Sequence, residues 1–206
     1  AGHLITLKAQ SDGTVVELLT ENTREVKKGD VLVRLDGNHA LVALQQAQAE
    51  LAETVRNIVT LKSKVETLKQ RILAKEAALS QVRHDLSRFS AAAADGAASE
   101  QQVQNAQDKI RELEAVLRET RAEQHGIEAQ LLDSSLNDHP AVEKAKSKLR
   151  KTYLDYERRN VIAPVSGYVA KRKAQIGDSL KSGAPLLVIV PLEEVWFSSA
   201  DGTKLF

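Results

Sequence analysis

From Leu44 to Leu86 every seventh residue is apolar: Leu44, Leu51, Ile58, Val65, Ile72, Leu79 and Leu86. Three residues beyond each stand Ala47, Thr54, Leu61, Leu68, Lys75, Val82 and Phe89, of which only Thr54 and Lys75 are polar. A straight α-helix carries a seven-residue stripe off its own face, so this spacing requires a left-handed coiled coil, and a coiled-coil seam requires a partner. The same chain supplies one. Val103, Ile110, Leu117, Gln124 and Leu131 repeat at seven, with Ala106, Leu113, Thr120 and Ile127 at the intermediate places.

Between the runs lies Ala91-Ala92-Ala93-Ala94-Asp95-Gly96-Ala97-Ala98-Ser99. Asp-Gly signals a turn, and Ser99 followed by Gln102 can cap a new helix. The economical reading is an antiparallel hairpin over residues 38–159 with its tip near 91–99. Its first helix would run from about His39 to about Ser90 and measure roughly 75 Å at about 1.5 Å per residue. Asn137-Asp138-His139-Pro140 interrupts the second run, and Val142, Leu149 and Tyr156 then resume the spacing after an eleven-residue step from Leu131. That step fits either a stutter in one interrupted helix or a stop followed by a separate third helix.

Composition agrees with long helices. Aromatic residues make up only 3% of the chain, too few for a large globular core, while 28% are charged. Lys plus Arg total 29 and Asp plus Glu 28, so the net charge of +1 gives no electrostatic argument for nucleic acid. There is no cysteine, which excludes disulfides and thiolate metal sites. No apolar run approaches membrane-spanning length. The chain opens on Ala1 and contains no Met, which leads us to expect a piece of a longer protein.

Both ends read as β. Ile5 and Leu7 alternate with polar neighbours, Asp12-Gly13 and Lys28-Gly29-Asp30 read as turns, and Val31, Val33 and Leu35 alternate again. Residues 160–192 copy residues 6–38 at a constant offset of 154: Ala9 matches Ala163, Gly13 Gly167, Val15 Val169, Lys27 Lys181, Gly29 Gly183 and Leu32 Leu186. The matched glycines predict turns that need positive φ or close backbone approach. Neither half is large enough to bury a core alone. The expected fold is therefore α+β: a pseudo-twofold β sandwich made of residues 4–37 and 160–192, with the hairpin inserted between them.

Ser11-Asp12-Gly13, the run Val26-Lys27-Lys28-Gly29-Asp30-Val31-Leu32 and the run Ile162-Ala163-Pro164-Val165-Ser166-Gly167-Tyr168-Val169 resemble the split biotinyl-lipoyl domain of periplasmic adaptor, or membrane-fusion, proteins. Asp138-His139-Pro140-Ala141-Val142 and the stretch from Leu154 to Tyr168 resemble the EmrA-type subgroup. The resemblance covers residues 5 to about 197. It implies a non-enzymatic, homo-oligomeric adaptor of a tripartite multidrug efflux pump in the periplasm of Gram-negative bacteria. Its partners would be an inner-membrane exporter of the major-facilitator type and an outer-membrane channel of the TolC type.

In that family the hairpin tip meets the channel through an Arg, a Leu four residues on and a Ser seven further; here these read Arg88, Ala92 and Ser99, with Ala in place of Leu. The resemblance also implies a membrane helix before this chain and a β-barrel after it. Val195-Trp196-Phe197 resembles the barrel's first strand, so residues 193–206 are expected to be its truncated start or a tail.

A cofactor-bearing lipoyl domain carries a modified Lys between its halves, but no Lys stands between Lys28 and Lys62, so no cofactor is expected. His3, His39, His84, His125 and His139 have no metal-ligand spacing, and no phosphate loop or nucleophilic triad is present. Glu114 and Arg118 have the spacing of a helical ion pair. Two other functions share some of these features: an adaptor of a type I protein-secretion system, and a coiled-coil scaffold or acyl-carrier domain outside transport.

Overall fold

The computed structural model describes residues 4–192. Among them, strands and helices follow in the order β1 (Ile5–Lys8), β2 (Gly13–Leu18), β3 (Glu25–Val26), β4 (Val31–Leu35), α1 (Asn38–Ala94), α2 (Glu100–Leu131), α3 (Pro140–Glu157), β5 (Asn160–Ile162), β6 (Gly167–Arg172), β7 (Ser179–Leu180) and β8 (Pro185–Pro191). They form two units. Among the described residues one joins 4–49 with 146–192, and the other is 50–145. The expectation for residues 193–206 lies outside the described residues.

In the first unit the strands make two four-stranded antiparallel sheets, ordered β1-β8-β6-β3 and β5-β4-β2-β7. Each sheet takes two strands from each half of the repeat. Shifting one sheet by 154 residues generates the other, down to the register. Leu7 faces Leu187 as Val33 faces Val161, and Gly13 faces Leu180 as Val26 faces Gly167. Even the irregularities coincide, one between Val15 and Glu17 and its image between Val169 and Lys171.

The loops obey the same exchange. The Gly29 N–H donates to the Ala163 carbonyl at 2.8 Å and the Gly183 N–H to the Ala9 carbonyl at 2.7 Å. Thr23 donates to Val169 at 2.7 Å and Gly177 to Val15 at 2.8 Å. Between the sheets Val15, Leu32, Val33, Leu35, Val169, Leu186, Leu187 and Ile189 are almost wholly buried. Each such side chain contributes about 1.5–3 kcal/mol by leaving water, and neither half possesses this core without the other.

The four glycines singled out from sequence divide into two kinds. Gly29 and Gly183 sit in turns at φ +95° and +92°, a conformation that favours glycine. Gly13 and Gly167, expected in turns, instead open strands β2 and β6, and the requirement there is space. A Cβ on Gly167 would lie 2.1 Å from the Val190 carbonyl oxygen, and one on Gly13 would lie 3.2 Å from Leu35 Cβ. A third symmetric pair escapes sequence inspection. Gly177 adopts φ +92° and its counterpart Thr23 adopts φ +69°, so the first half holds a β-branched residue in the left-handed region.

In the second unit α1 runs beside α2 in opposite directions. Ile58, Val65 and Leu68 cluster with Ile127 and Leu131 of α2 and Val142 of α3, with Leu61 packed against them. Ile72 and Leu79 cluster with Leu117, flanked by Ile110 and Leu113. The residues expected at the seam therefore line it. Arg83 pairs with Glu114 at 2.7 Å and Glu76 with Arg121 at 2.5 Å, so one heptad down α1 is matched by one heptad along α2. Glu114 turns across the seam to Arg83 and makes no ion pair along α2 with Arg118, the pairing expected from spacing. The pair is a surface one, with the Arg83 side chain 57% exposed. Thr120 is buried in the seam, its hydroxyl bonded to the Val116 carbonyl at 2.8 Å.

The interruption before Pro140 ends one helix and starts another. Leu132 and Asp133 both adopt positive φ, and the Leu132 N–H still reaches the Glu128 carbonyl, closing α2. His139 then caps α3. Its Nδ1 accepts the Ala141 N–H at 3.2 Å while its Nε2 lies 3.0 Å from the Gln130 carbonyl oxygen, a pairing that requires the Nε2–H tautomer. Helix α1 ends at Ala94, a turn beyond its expected end, because alanines sustain helix until Gly96.

Three substitutions test this arrangement. Leu68→Ala should cost about 2–5 kcal/mol in denaturant unfolding, since Leu68 is 1% exposed at the seam. Gly167→Ala should cost about 3 kcal/mol or more, the upper end of overpacking, because a main-chain oxygen cannot rotate away. Thr23→Gly should leave the sandwich equally stable or raise its stability by up to about 1 kcal/mol, relief of left-handed strain outweighing the added backbone entropy. A lower melting temperature for Thr23→Gly would refute the strain argument.

Candidate functional site

The candidate site is the end of the hairpin, where α1 gives way to α2. Gly96, at φ +73°, allows the chain to reverse. The Gly96 N–H donates to the Ala93 carbonyl at 3.1 Å and the Ala97 N–H to the Ala92 carbonyl at 2.8 Å. These two bonds make the Schellman closure, satisfying carbonyls that a helix end leaves open. The Ala-rich stretch up to Ala94 is therefore helix, and the turn proper is confined to 95–99, narrower than the expected tip.

Ser99 is the N-cap of α2, with φ −86° and ψ 149°. Its Oγ accepts the Gln102 N–H at 3.3 Å, and Gln102 Oε1 accepts the Ser99 N–H at 3.0 Å. This capping box was legible as Ser99 followed three places later by Gln102. The Schellman closure was not, since it is written in main-chain geometry and its only sequence signal is Gly96. With both helix ends closed in this way, the reversal is fixed by hydrogen bonds of its own.

Arg88 lies on the last turns of α1, its side chain 63% exposed. Its guanidinium is 3.3 Å from Asp85 on the same helix, a surface pair that contributes little to stability and leaves most of the guanidinium's donors facing water. Ala92 stands one turn on, half-buried. Arg88 and Ala92 thus share a helix face, and Ser99 lies across the reversal with its hydroxyl directed mainly to its own helix. Farther along α2, a hydrogen bond from Arg111, and after it one from Gln104, hold the exposed Asp108 carboxyl below the usual carboxylate range.

This arrangement offers a cationic fork, small side chains and a rigid turn, which is equipment for contact and not for bond-making. Among the described residues no cluster of His, Asp or Glu could hold a metal ion, and no helix is long and apolar enough to cross a membrane. Ser99→Ala should cost about 1 kcal/mol in a melt of the hairpin, and Ser99→Asp should restore most of it. An unchanged Ser99→Ala melt would mean that the capping box is not formed.

Comparison with known proteins places the chain in a family. A family model described as the EMRA alpha-helical hairpin domain matches residues 39–159. The fatty acid resistance protein FarA of Neisseria gonorrhoeae is 34% identical over 197 residues, covering 95% of this chain and 50% of that protein. The multidrug export protein EmrA of Escherichia coli K12 is 31% identical over 196 residues, again 95% and 50%. The chain thus spans about half the length of these curated relatives. A solved structure of the periplasmic adaptor protein EmrA superposes with a TM-score of 0.50 at 18% identity, covering 92% of this chain and 72% of that one, a likeness of fold. A heptad hairpin carried between the halves of a split lipoyl-like sandwich, matched by that family model, places this chain in the EmrA-type family of periplasmic adaptor proteins, which are not enzymes.

Proposed function

We propose that this chain is the central part of a periplasmic adaptor subunit in a tripartite efflux pump. It links an inner-membrane exporter of the major-facilitator type to an outer-membrane channel of the TolC type. The cargo class is drugs or other hydrophobic toxic compounds, in keeping with the names of the relatives FarA and EmrA. The full-length protein is anchored in the inner membrane by an N-terminal helix and works as a homo-oligomer.

The observation that carries this reading is the hairpin itself. Helix α1 alone has 57 residues, roughly 85 Å at about 1.5 Å per residue. That length ends in a turn whose two flanking helix ends are both closed by hydrogen bonds. A structure of this kind serves to present its end to something distant. Arg88 is the group at that end best suited to a partner's carbonyl or carboxylate oxygens, because a guanidinium presents several donors in a fixed plane. Ala92 and the neighbouring alanines let a partner backbone approach closely. In this reading Arg88, Ala92 and Ser99 form the channel-docking tip, and Gly13, Gly29, Gly167 and Gly183 shape the lipoyl-like base, residues 4–37 with 160–192.

The test is made with the full-length protein in a strain lacking its own adaptor. Arg88→Glu should abolish export-linked resistance while the protein accumulates normally and the melting curve of the hairpin stays unchanged, since Arg88 lies off the seam. Full resistance at normal protein level would remove Arg88 from the docking contact.

A further inference from the structure

The 154-residue repeat changes its side chains where the chain joins the helices. Gly37 and Arg159, the residues where the chain leaves the sandwich for α1 and re-enters it from α3, stand where the other half has Pro191 and Ile5. The main chain keeps the symmetry there, since the Leu35 N–H donates to the Arg159 carbonyl at 2.8 Å just as Ile5 pairs with Ile189. The side chains do not. Arg159 lays its guanidinium over the Tyr156 ring, 4.1 Å from the centroid. Its aliphatic stem covers Gly37 so closely that a Cβ on Gly37 would lie 2.6 Å from Arg159 Cδ.

Hydrogen bonding does not explain this seat. Arg159 Nε is buried without an acceptor, which is costly for a charged donor. Asp36 and Asp155 line the same hollow as Arg159, yet Asp36 accepts the Asn38 N–H at 3.0 Å and Asp155 pairs with Arg158 at 3.4 Å. Among the described residues Arg159 makes no ion pair. What holds it is the stack on Tyr156 and the space that glycine leaves at position 37. Beside it a second asymmetric set spans the sheet: Arg34 binds Glu17 at 2.6 Å and Asn160 at 3.4 Å, where the other half has Val188, Lys171 and Thr6.

We propose that Arg159, seated on Gly37 and Tyr156, is a positioning residue that staples the root of α3 to the root of α1. The sandwich core does not depend on an arginine there, because the equivalent places in the other half hold Ile5 and Pro191. From this end α1 leaves the sandwich and α3 returns to it. The adaptor role proposed above, on which this inference builds, requires those helices to rise as one pair.

The absence of cysteine allows two spin labels to be placed uniquely, at Gln45→Cys and Lys151→Cys, both exposed and both in the sandwich unit. In Arg159→Ala the label-to-label distance distribution should broaden while the melting temperature of the sandwich holds. Gly37→Ala should broaden it too, by pushing Arg159 off its seat, and the double variant should be no broader than Arg159→Ala. Arg159→Lys, which keeps charge without the planar face, should rescue only in part. Unchanged distributions in both single variants would overturn the staple, whatever the pump does. In full-length protein the same variants should lose export in step with the broadening, and full export despite broadening would overturn the positioning role. A wild-type protein that supports no export would sink the adaptor reading alone, leaving the distance measurement to decide the staple.

Discussion

Everything in the sandwich depends on the reciprocal donation of main-chain hydrogen bonds between its two halves. Gly29 gives to Ala163 and Gly183 gives to Ala9; Ala163 gives back to Asp30 and Ala9 to Ala184. A half on its own would leave these donors and acceptors open and would expose the valines and leucines that the partner covers, and both losses are too large for a chain of that size to bear. The halves are therefore obliged to find each other across more than a hundred intervening residues. An antiparallel hairpin is a form of insertion that permits this, because it returns the chain to where it left.

Within the hairpin, stability and length are separate matters. The seam is narrow, and its buried residues fall in clusters around Leu68 and Leu79. The remaining surface is solvated, with the cross-helix pairs Arg83–Glu114 and Glu76–Arg121 fixing the register as much as adding energy. Where the seven-residue phase breaks, the fold accepts two left-handed residues and a histidine cap and starts a third helix. The seam then continues through Val142, which packs with Ile58, Val65 and Leu68. At the tip, two interlocking hydrogen-bond motifs close both helix ends, so the reversal is rigid even though nothing large is buried there.

The departures from symmetry are as informative as the symmetry. Thr23 tolerates a conformation its counterpart Gly177 adopts freely, because the Thr23 N–H still makes the bond to Val169 that its position demands. Arg159 and Gly37 stand where the other half has Ile5 and Pro191, at the end of the sandwich that α1 leaves and α3 rejoins.

The sequence by itself determined the α+β class, the heptad seam, the capping role of Ser99 and the equivalence of the two β segments. Each is written in short-range spacing or in a constant offset, and each follows from local rules of helix, turn and strand. Only the tertiary structure decided the rest. It interleaved the halves strand by strand, placed Gly13 and Gly167 in strands, where a main-chain oxygen excludes a Cβ at Gly167 and Leu35 crowds one at Gly13, and turned Glu114 to Arg83 instead of Arg118. It resolved the break before Pro140 into two helices and brought Arg159 onto Gly37. These outcomes depend on which atoms from distant parts of the chain compete for the same space and the same hydrogen bonds, and no spacing within the sequence records that competition.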